Sequence, residues 1–452
     1  MNVAEALKKL IAEDRVSTNI TVLEHHSKDE SYHTPHLPDV VVFPVSTQEV
    51  SAVLRFANEH RIPVVPFGVG SSLEGHAIPI HGGISIDFQF MNRIVEVRPN
   101  DFLVRVQPGV TRTQLNNELK KYGLFFSVDP GADATLGGMA STNASGTTSV
   151  RYGVMRDQIR DLEVVLADGR VIHTGGMAAK SSSGYHLTGL FAGSEGTLGV
   201  FTELTLRVYG IPEATAVVKA SFPGIEDAVN AAVSILSAGI PVARMELVDD
   251  RAMKQVNQYA STAFPEKPTL FLEFHGNEDG LLHDMQFARE LAMTAGCAAF
   301  ESETDSKKRA ELWKARHNLA YAFLHGYPGR KMMSTDVCLP ISELAGAIRE
   351  AHRAIDASGM TGAIVGHVGD GNFHTLVMID PNNPLDLQRA DEVNNQIVTY
   401  ALSRGGTCTG EHGVGIGKRK YQRAEHGEAF DVMLAIKELL DPNGILNPGK
   451  IF

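Results

Sequence analysis

Cysteine is scarce in this chain: three among 452 residues, at Cys297, Cys338 and Cys408. Odd in number, far apart and in no metal-knuckle spacing, they exclude a disulfide framework and point to a reducing compartment. They also leave no thiolate cluster for an iron–sulfur centre. Tryptophan occurs once, at Trp313, and is read as packing. No apolar run approaches 18 residues, so no transmembrane segment is expected. Basic charge is in deficit, with 41 Lys and Arg against 53 Asp and Glu and a net charge of −12. That balance disfavours nucleic acid as a partner, which needs a basic surface, but leaves room for a local basic site for a small carboxylate. The opening MNVAEALKKLIAEDRVS reads as an amphipathic helix. It lacks the apolar stretch of a signal peptide, and Glu5, Glu13 and Asp14 argue against a transit peptide. The expected location is cytoplasmic, including peripheral docking at a membrane.

At this length two or three domains are expected. DVVVFPVSTQEVSAVLRFANEHRIPVVPFG reads as strand, helix, strand. Ser46 and Glu49 have capping-box spacing, and Val50, Val53, Leu54 and Ala57 mark one helical face. The chain is then β-rich to about Gly210, with connections of Gly, Ser and Thr. From Ala216 to about Gly405 strands alternate with longer helices, expected at Ile225–Ala238, Gly280–Ala295, Ser306–Phe323, Ile341–Ala357 and Asp386–Arg404. KMMSTDVCL, AIVGHVG and FHTLVMI are among the strands expected there. The fold class is α+β, with antiparallel strands and helices on one face in a ferredoxin-like second domain. The domains run 1–213, 214–408 and a C-terminal segment 409–452. There are no internal repeats.

Three glycine-rich loops fall in the first domain. PFGVGSSLEG follows a strand; Gly68 and Gly70 let backbone N–H groups converge, and Ser71 and Ser72 add hydroxyls, which suits a pyrophosphate. It has neither a Walker lysine nor G-x-G-x-x-G spacing, so a nicotinamide site is not supported. In the second loop only Leu136 and Met139 are large between Gly131 and Gly146, so that segment can lie against an extended ligand. The third is LFAGSEGTLGV. Each alone reads equally as a turn; together they suggest one long phosphate-bearing ligand.

VGHVGDGNFHTLV, from Val365 to Val377, sets His367 and His374 seven positions apart among glycines. The glycines make a helix improbable. Asp370-Gly371 between apolar runs is a hairpin signal. A two-residue turn there places Val368 opposite Phe373 and His367 opposite His374, within reach of one metal ion. The other reading is a pair of strand histidines bonded to backbone or water.

Eight stretches carry a resemblance: LPDVVVFPVSTQEV, PFGVGSSLEG, PGADATLGGMASTNASGT, RYGVMRD, GSEGTLGV, GHVGDGNFH, GTCTGEHGVGIGK and LDPNGILNPGKIF. They run in order from about position 37 to 452. As a set they resemble the FAD-linked oxidases of the vanillyl-alcohol oxidase superfamily, with a PCMH-type FAD-binding domain in two parts and a cap domain. Within that superfamily the chain is similar to the D-lactate dehydrogenase and glycolate oxidase flavin-subunit group of D-2-hydroxyacid dehydrogenases. STDVCLP with GTCTGEHGVG resembles most the mitochondrial-type D-lactate dehydrogenase branch. Relatives acting on D-2-hydroxyglutarate usually carry a basic residue near Ser334, which this chain lacks.

The resemblance implies FAD in the first domain, non-covalent because Ser71 and Ser72 stand where some relatives have a tethering histidine. Its contacts would come from Pro66, Gly68, Val69, Gly70, Ser71 and Ser72 in the first loop. Pro130, Gly131, Thr135, Gly137, Gly138, Ser141, Asn143, Ala144, Gly146, Tyr152 and Gly153 would follow in and after the second. Glu195, Thr197, Gly199 and Val200 would serve from the third, and Asn447 from the tail. It implies a divalent metal, Zn²⁺ or Mn²⁺, on His367, His374 and Glu411, although Glu411 also reads as a surface carboxylate after a turn. It implies His412 as general base and Arg316 as the clamp on the substrate carboxylate, where residues alone suggest a helix-surface salt bridge. The implied partners are a small 2-hydroxyacid and an electron acceptor, whether quinone, cytochrome or electron-transfer flavoprotein, with a homodimer as assembly. The alternatives are a glycolate oxidase subunit and a D-2-hydroxyglutarate-type dehydrogenase.

Overall fold

The computed structural model describes residues 2–317 and 319–452. Asn318, inside the helix expected over Ser306–Phe323, lies outside the described residues. The chain forms two compact units: Met1–Ser145, Gly153–Ile211 and Glu411–Phe452 make the first, Gly146–Tyr152 and Pro212–Gly410 the second. The excursion Gly146–Tyr152, expected in the first domain, groups with the second.

Among the described residues the first unit holds two larger sheets and a two-stranded pair, Leu124–Phe125 with Tyr209–Gly210. One is four-stranded, with Ile84–Asp87 parallel to both Val40–Val42 and Val64–Phe67. The helix Thr47–His60 covers it by burying Val50, Val53, Leu54 and Ala57, the face expected from their spacing. Each buried Val or Leu contributes about 1.5–3 kcal/mol. Ser46 caps this helix by accepting from Glu49 N. The reciprocal half of the capping box is displaced: Glu49 accepts from Val45 N and pairs with Arg15. The other sheet is antiparallel, in the order Ile94–Arg98, Leu103–Val106, Val200–Arg207, Ile159–Val165, Val171–His173. The tail returns to the first sheet, where Val64 N donates to Ile445 O and Asn447 N to Val64 O. The opening helix is short, Val3–Leu7, and gives way to a 3₁₀ turn.

The second unit is built on an antiparallel sheet in the order Ala299–Glu303, Ala214–Ser221, Thr269–Gly276, Val242–Val248, Gly362–Gly366, Asn372–Ile379, Lys331–Ser334. Every residue of Asn372–Ile379 is buried. Asp250–Ala260, Ser306–His317 and Leu319–Gly326 contribute Met253, Trp313 and Phe323 to a core with Val217, Val248 and Phe271. Ile225–Ser237, Glu278–Thr294 and Leu344–Ser358 pack on the strands outside that cluster. The strand expected over Lys331–Leu339 breaks at Thr335–Asp336, beyond which Val337–Cys338 pairs separately.

The histidine hairpin corrects the expected register. Val365 pairs with His374, and Ile364 with Thr375. The connection is therefore Val368–Gly369–Asp370–Gly371, with Asp370 N and Asn372 N both donating to His367 O. The slip relative to a two-residue turn is two positions. Strand side chains alternate with period two, so such a slip leaves every side chain on its face. His367 becomes the diagonal neighbour of His374, and the two rings still meet.

Candidate active site

One face of the second unit's sheet carries charge. Arg244 and Glu246 alternate with Met245 along Val242–Val248 and so share a face. Glu246 is fully buried. Its Oε1 accepts from His367 Nδ1 at 2.6 Å and its Oε2 from Arg316 Nη2 at 2.5 Å. Burial pushes this carboxyl's pKa up, but His367 and Arg316 more than offset it and hold the group below the usual carboxylate range. One anion thus fixes an imidazole and a guanidinium by charge-assisted bonds. Among the described residues Arg316 Nε is buried and has no hydrogen-bond partner, a donor suited to a further carboxylate and foreign to a surface salt bridge.

His374 Nδ1 lies 3.2 Å from Thr335 O. A carbonyl only accepts, so Nδ1 carries the proton, as does His367 Nδ1 facing Glu246. In each neutral ring the lone pair is then on Nε2, the tautomer a metal requires. The ring centroids are 5.4 Å apart in an edge-to-face arrangement. Two imidazoles so oriented, one backed by a buried carboxylate, match the donor chemistry of a divalent metal. Burial, helped by Asp370 and Asp336, pushes the Cys338 thiol up to about 12.

Asp336, also fully buried, ties the segment before Glu411 to this hairpin. Its carboxylate accepts from Asn372 Nδ2, Thr409 Oγ1 and Gly410 N at 2.7–2.8 Å. Glu411 and His412 follow in the chain and begin the last segment of the first unit, where Ser145 Oγ donates to Glu411.

In the first unit the three glycine loops converge. A Cβ at Gly68 would strike Thr135, and one at Gly196 would press on Pro66. Glu195 N donates to Ser141 O at 2.8 Å. Asn447 Nδ2 joins the tail to them by donating to the carbonyls of Glu195 and His76. Gly70 takes φ +68°, a conformation glycine adopts freely. Among the described residues, the backbone N–H groups of Val69, Gly70, Ser71 and Ser72 make no backbone hydrogen bond. These donors beside two hydroxyls fit a diphosphate, as FAD carries.

Other expected contacts have structural employment here. Thr135 caps the helix Leu136–Thr142, Asn143 ends it at φ +51°, and Gly137 abuts Pro108. Gly199 abuts Val164 and Phe191, Gly153 turns at φ +82°, and Val200 begins a strand. Thr197 Oγ1 donates to Ser194 O, and Ser141 Oγ to Gly137 O. Gly138 is exposed and Ala144 buried; Pro130 and Gly131 lie in the loop before Thr135. Gly146 and Tyr152 belong to the second unit, where Tyr152 OH meets His275 Nδ1 at 2.8 Å and His275 Nε2 meets Glu273 at 2.7 Å. His76 is buried against Glu195 at 3.3 Å.

Sequence reasoning missed Glu246, Asp336 and the Tyr152–His275–Glu273 chain. One signal existed: Arg244 and Glu246 interrupt an otherwise apolar strand at alternate positions, and charges buried on a sheet face need partners.

Comparison with known proteins follows this geometry. Residues 211–451 match the model of FAD linked oxidases, C-terminal domain, and residues 38–175 that of an FAD binding domain. The chain is 45% identical to "Probable D-lactate dehydrogenase, mitochondrial" of Danio rerio, over 99% of this chain and 91% of that protein. It is 43% identical to "D-lactate dehydrogenase [cytochrome], mitochondrial" of Arabidopsis thaliana, over 98% and 79%. It is 33% identical to "Glycolate oxidase subunit GlcD" of Bacillus subtilis, over 94% and 92%. Among solved structures, p-cresol methylhydroxylase with substrate bound aligns with TM-score 0.83 at 20% identity, over 99% and 96%, a likeness of fold.

The names of the first two relatives overturn the cytoplasmic expectation. Scarce cysteine reports a reducing environment, which is not particular to the cytoplasm. No helix among the described residues is long and apolar enough to cross a membrane. With both parts of its fold matched and 99% of its length aligned to a relative 45% identical, the chain belongs to the FAD-linked oxidases and is an FAD-dependent dehydrogenase.

Proposed function

We propose that this chain oxidises a small D-2-hydroxyacid, D-lactate or a close relative, to the 2-oxoacid, using a divalent metal, Zn²⁺ or Mn²⁺, on His367, His374 and Glu411. The observation that carries the reading is the Glu246 bridge: one buried anion orders both a ligand-type imidazole and a guanidinium. The relatives' names support D-lactate and a mitochondrial setting, and the Arabidopsis thaliana name supports cytochrome over quinone or electron-transfer flavoprotein as acceptor.

When bound, FAD supplies the hydride acceptor and the metal supplies Lewis acidity toward the α-hydroxyl. The chain's own part is positional. His412 removes the hydroxyl proton, since an imidazole is a base available near neutral pH. Arg316, held by Glu246 through one nitrogen, offers Nε to the substrate carboxylate. A guanidinium donor suited to a carboxylate favours a 2-hydroxyacid over a simple alcohol.

The test is anaerobic mixing of the FAD-loaded enzyme with D-lactate, L-lactate, glycolate and D-2-hydroxyglutarate, followed by reoxidation with quinone, cytochrome c or oxygen. Rapid bleaching by D-lactate is expected. Bleaching by glycolate alone, with an iron–sulfur partner co-purifying, favours the glycolate oxidase reading that the Bacillus subtilis relative suggests. Bleaching by L-lactate alone overturns both.

A further inference from the structure

Glu195 has a cost that FAD binding does not explain. It is buried, and it adopts φ +53° between Gly193 and Gly196, a left-handed conformation that disfavours a side chain. A buried carboxylate is destabilising unless its oxygens are satisfied. Here they are: Oε1 accepts from Val414 N at 2.6 Å and Oε2 from Gly415 N at 2.8 Å, with His76 Nε2 at 3.3 Å. Gly413 and Gly415 flank Val414 at φ +82° and +48°, so their segment forms a nest of N–H groups of the kind that binds an anion. A Cβ on Gly413 would lie 2.6 Å from His76 Nε2 and 2.8 Å from Glu195 Oε1. The nest is therefore filled by this carboxylate, and the residue before it is His412.

We propose that Glu195 is a positioning residue: its carboxylate, seated in the nest of Gly413–Gly415, fixes the backbone that presents His412. The inference rests on His412 being the general base. It turns Glu195 from a flavin contact into a support for proton removal.

The experiment is a double-mutant cycle on flavin reduction by D-lactate in the FAD-loaded enzyme, with rates normalised to bound FAD. Glu195→Gln keeps the shape, removes the charge and turns an amide NH₂ toward one of the two donors. It is expected to lower the limiting reduction rate 10- to 100-fold with KM and FAD content near those of the parent. In a His412→Ala background the same change is expected to add less than threefold, because the group it positions is gone. A purely structural role would multiply the losses. If Glu195→Gln does not accumulate, Glu195→Asp keeps the charge but falls short of the nest, and the same rate loss is expected. Normal reduction by the Glu195 variant with an inactive His412→Ala overturns this inference alone. Normal reduction by His412→Ala overturns the assignment of the base beneath it.

Discussion

Glu246 accepts the Nδ1 proton of His367 at 2.6 Å, and that bond selects the ring nitrogen available to a metal. Glu246→Gln preserves the volume but removes the anion that fixes both the tautomer and Arg316. Losing such a partner behind a metal-binding histidine typically costs 10–100-fold in metal affinity. We expect a loss of that order in a chelator-competition titration with Zn²⁺ or Mn²⁺, with FAD stoichiometry unaltered. Equal affinities in parent and variant would remove the metal role from this bridge.

Metal removal should act on the same residues. Exhaustive dialysis against EDTA is expected to abolish reduction by D-lactate while leaving FAD bound, and added Zn²⁺ or Mn²⁺ to restore it. His374→Ala should show the chelated behaviour permanently, since one of the three proposed ligands is missing. Full activity in protein shown by elemental analysis to be metal-free would contradict the assignment.

Gly371 offers a test of the hairpin itself. Its φ is +84°, and a Cβ there would run into the carbonyl oxygen of Leu339. Gly371→Ala therefore meets both an unfavourable backbone conformation and a clash with main chain, and we expect a loss of about 1–3 kcal/mol. The strain falls on the turn that holds His367, whose carbonyl accepts from Asp370 N and Asn372 N. Metal affinity should thus fall along with Tm, whereas the FAD-binding unit should keep its cofactor at low temperature.

What was legible in the sequence followed from local periodicity. The face of Thr47–His60 was readable because four apolar residues at helical spacing leave one solution. That both histidines share a face was readable because a two-residue register slip cannot change it; the register was not, because Asp-Gly also closes a four-residue connection. Glu246 was out of reach, since its partners lie 70 and 121 positions away and no local pattern names them. The excursion Gly146–Tyr152 was equally hidden. It is held by Arg151 Nη1 on the carbonyls of Pro241 and His275, and backbone acceptors leave no signature in sequence. Convergence of the three glycine loops was anticipated from their chemistry. Their use of Glu195 to hold the His412 segment was not, because only coordinates show where a carboxylate's oxygens are spent.

Lys450 gives a pH test that is read by unfolding, not by turnover. It is almost completely buried, and Nζ donates to Ile78 O at 2.7 Å and Asn447 Oδ1 at 3.2 Å. Burial lowers its pKa to about 8 from 10.5, against the opposing pull of Glu195 and Asp29. Below pH 8 both folded and unfolded chains hold this proton, and the folded state bears the full cost of a buried charge. Between about pH 8 and 10.5 the unfolded chain binds more protons than the folded one, so this group makes stability rise with pH and then level off. The gain is about 2–4 kcal/mol. Lys450→Met removes the titration, although it leaves Ile78 O short of a donor and lowers stability near neutrality if that bond outweighs the buried charge. The decisive quantity is the difference in slope: urea unfolding from pH 7.5 to 10.5 should show the parent gaining relative to Lys450→Met. Parallel profiles would mean that Lys450 keeps an ordinary pKa in the folded protein.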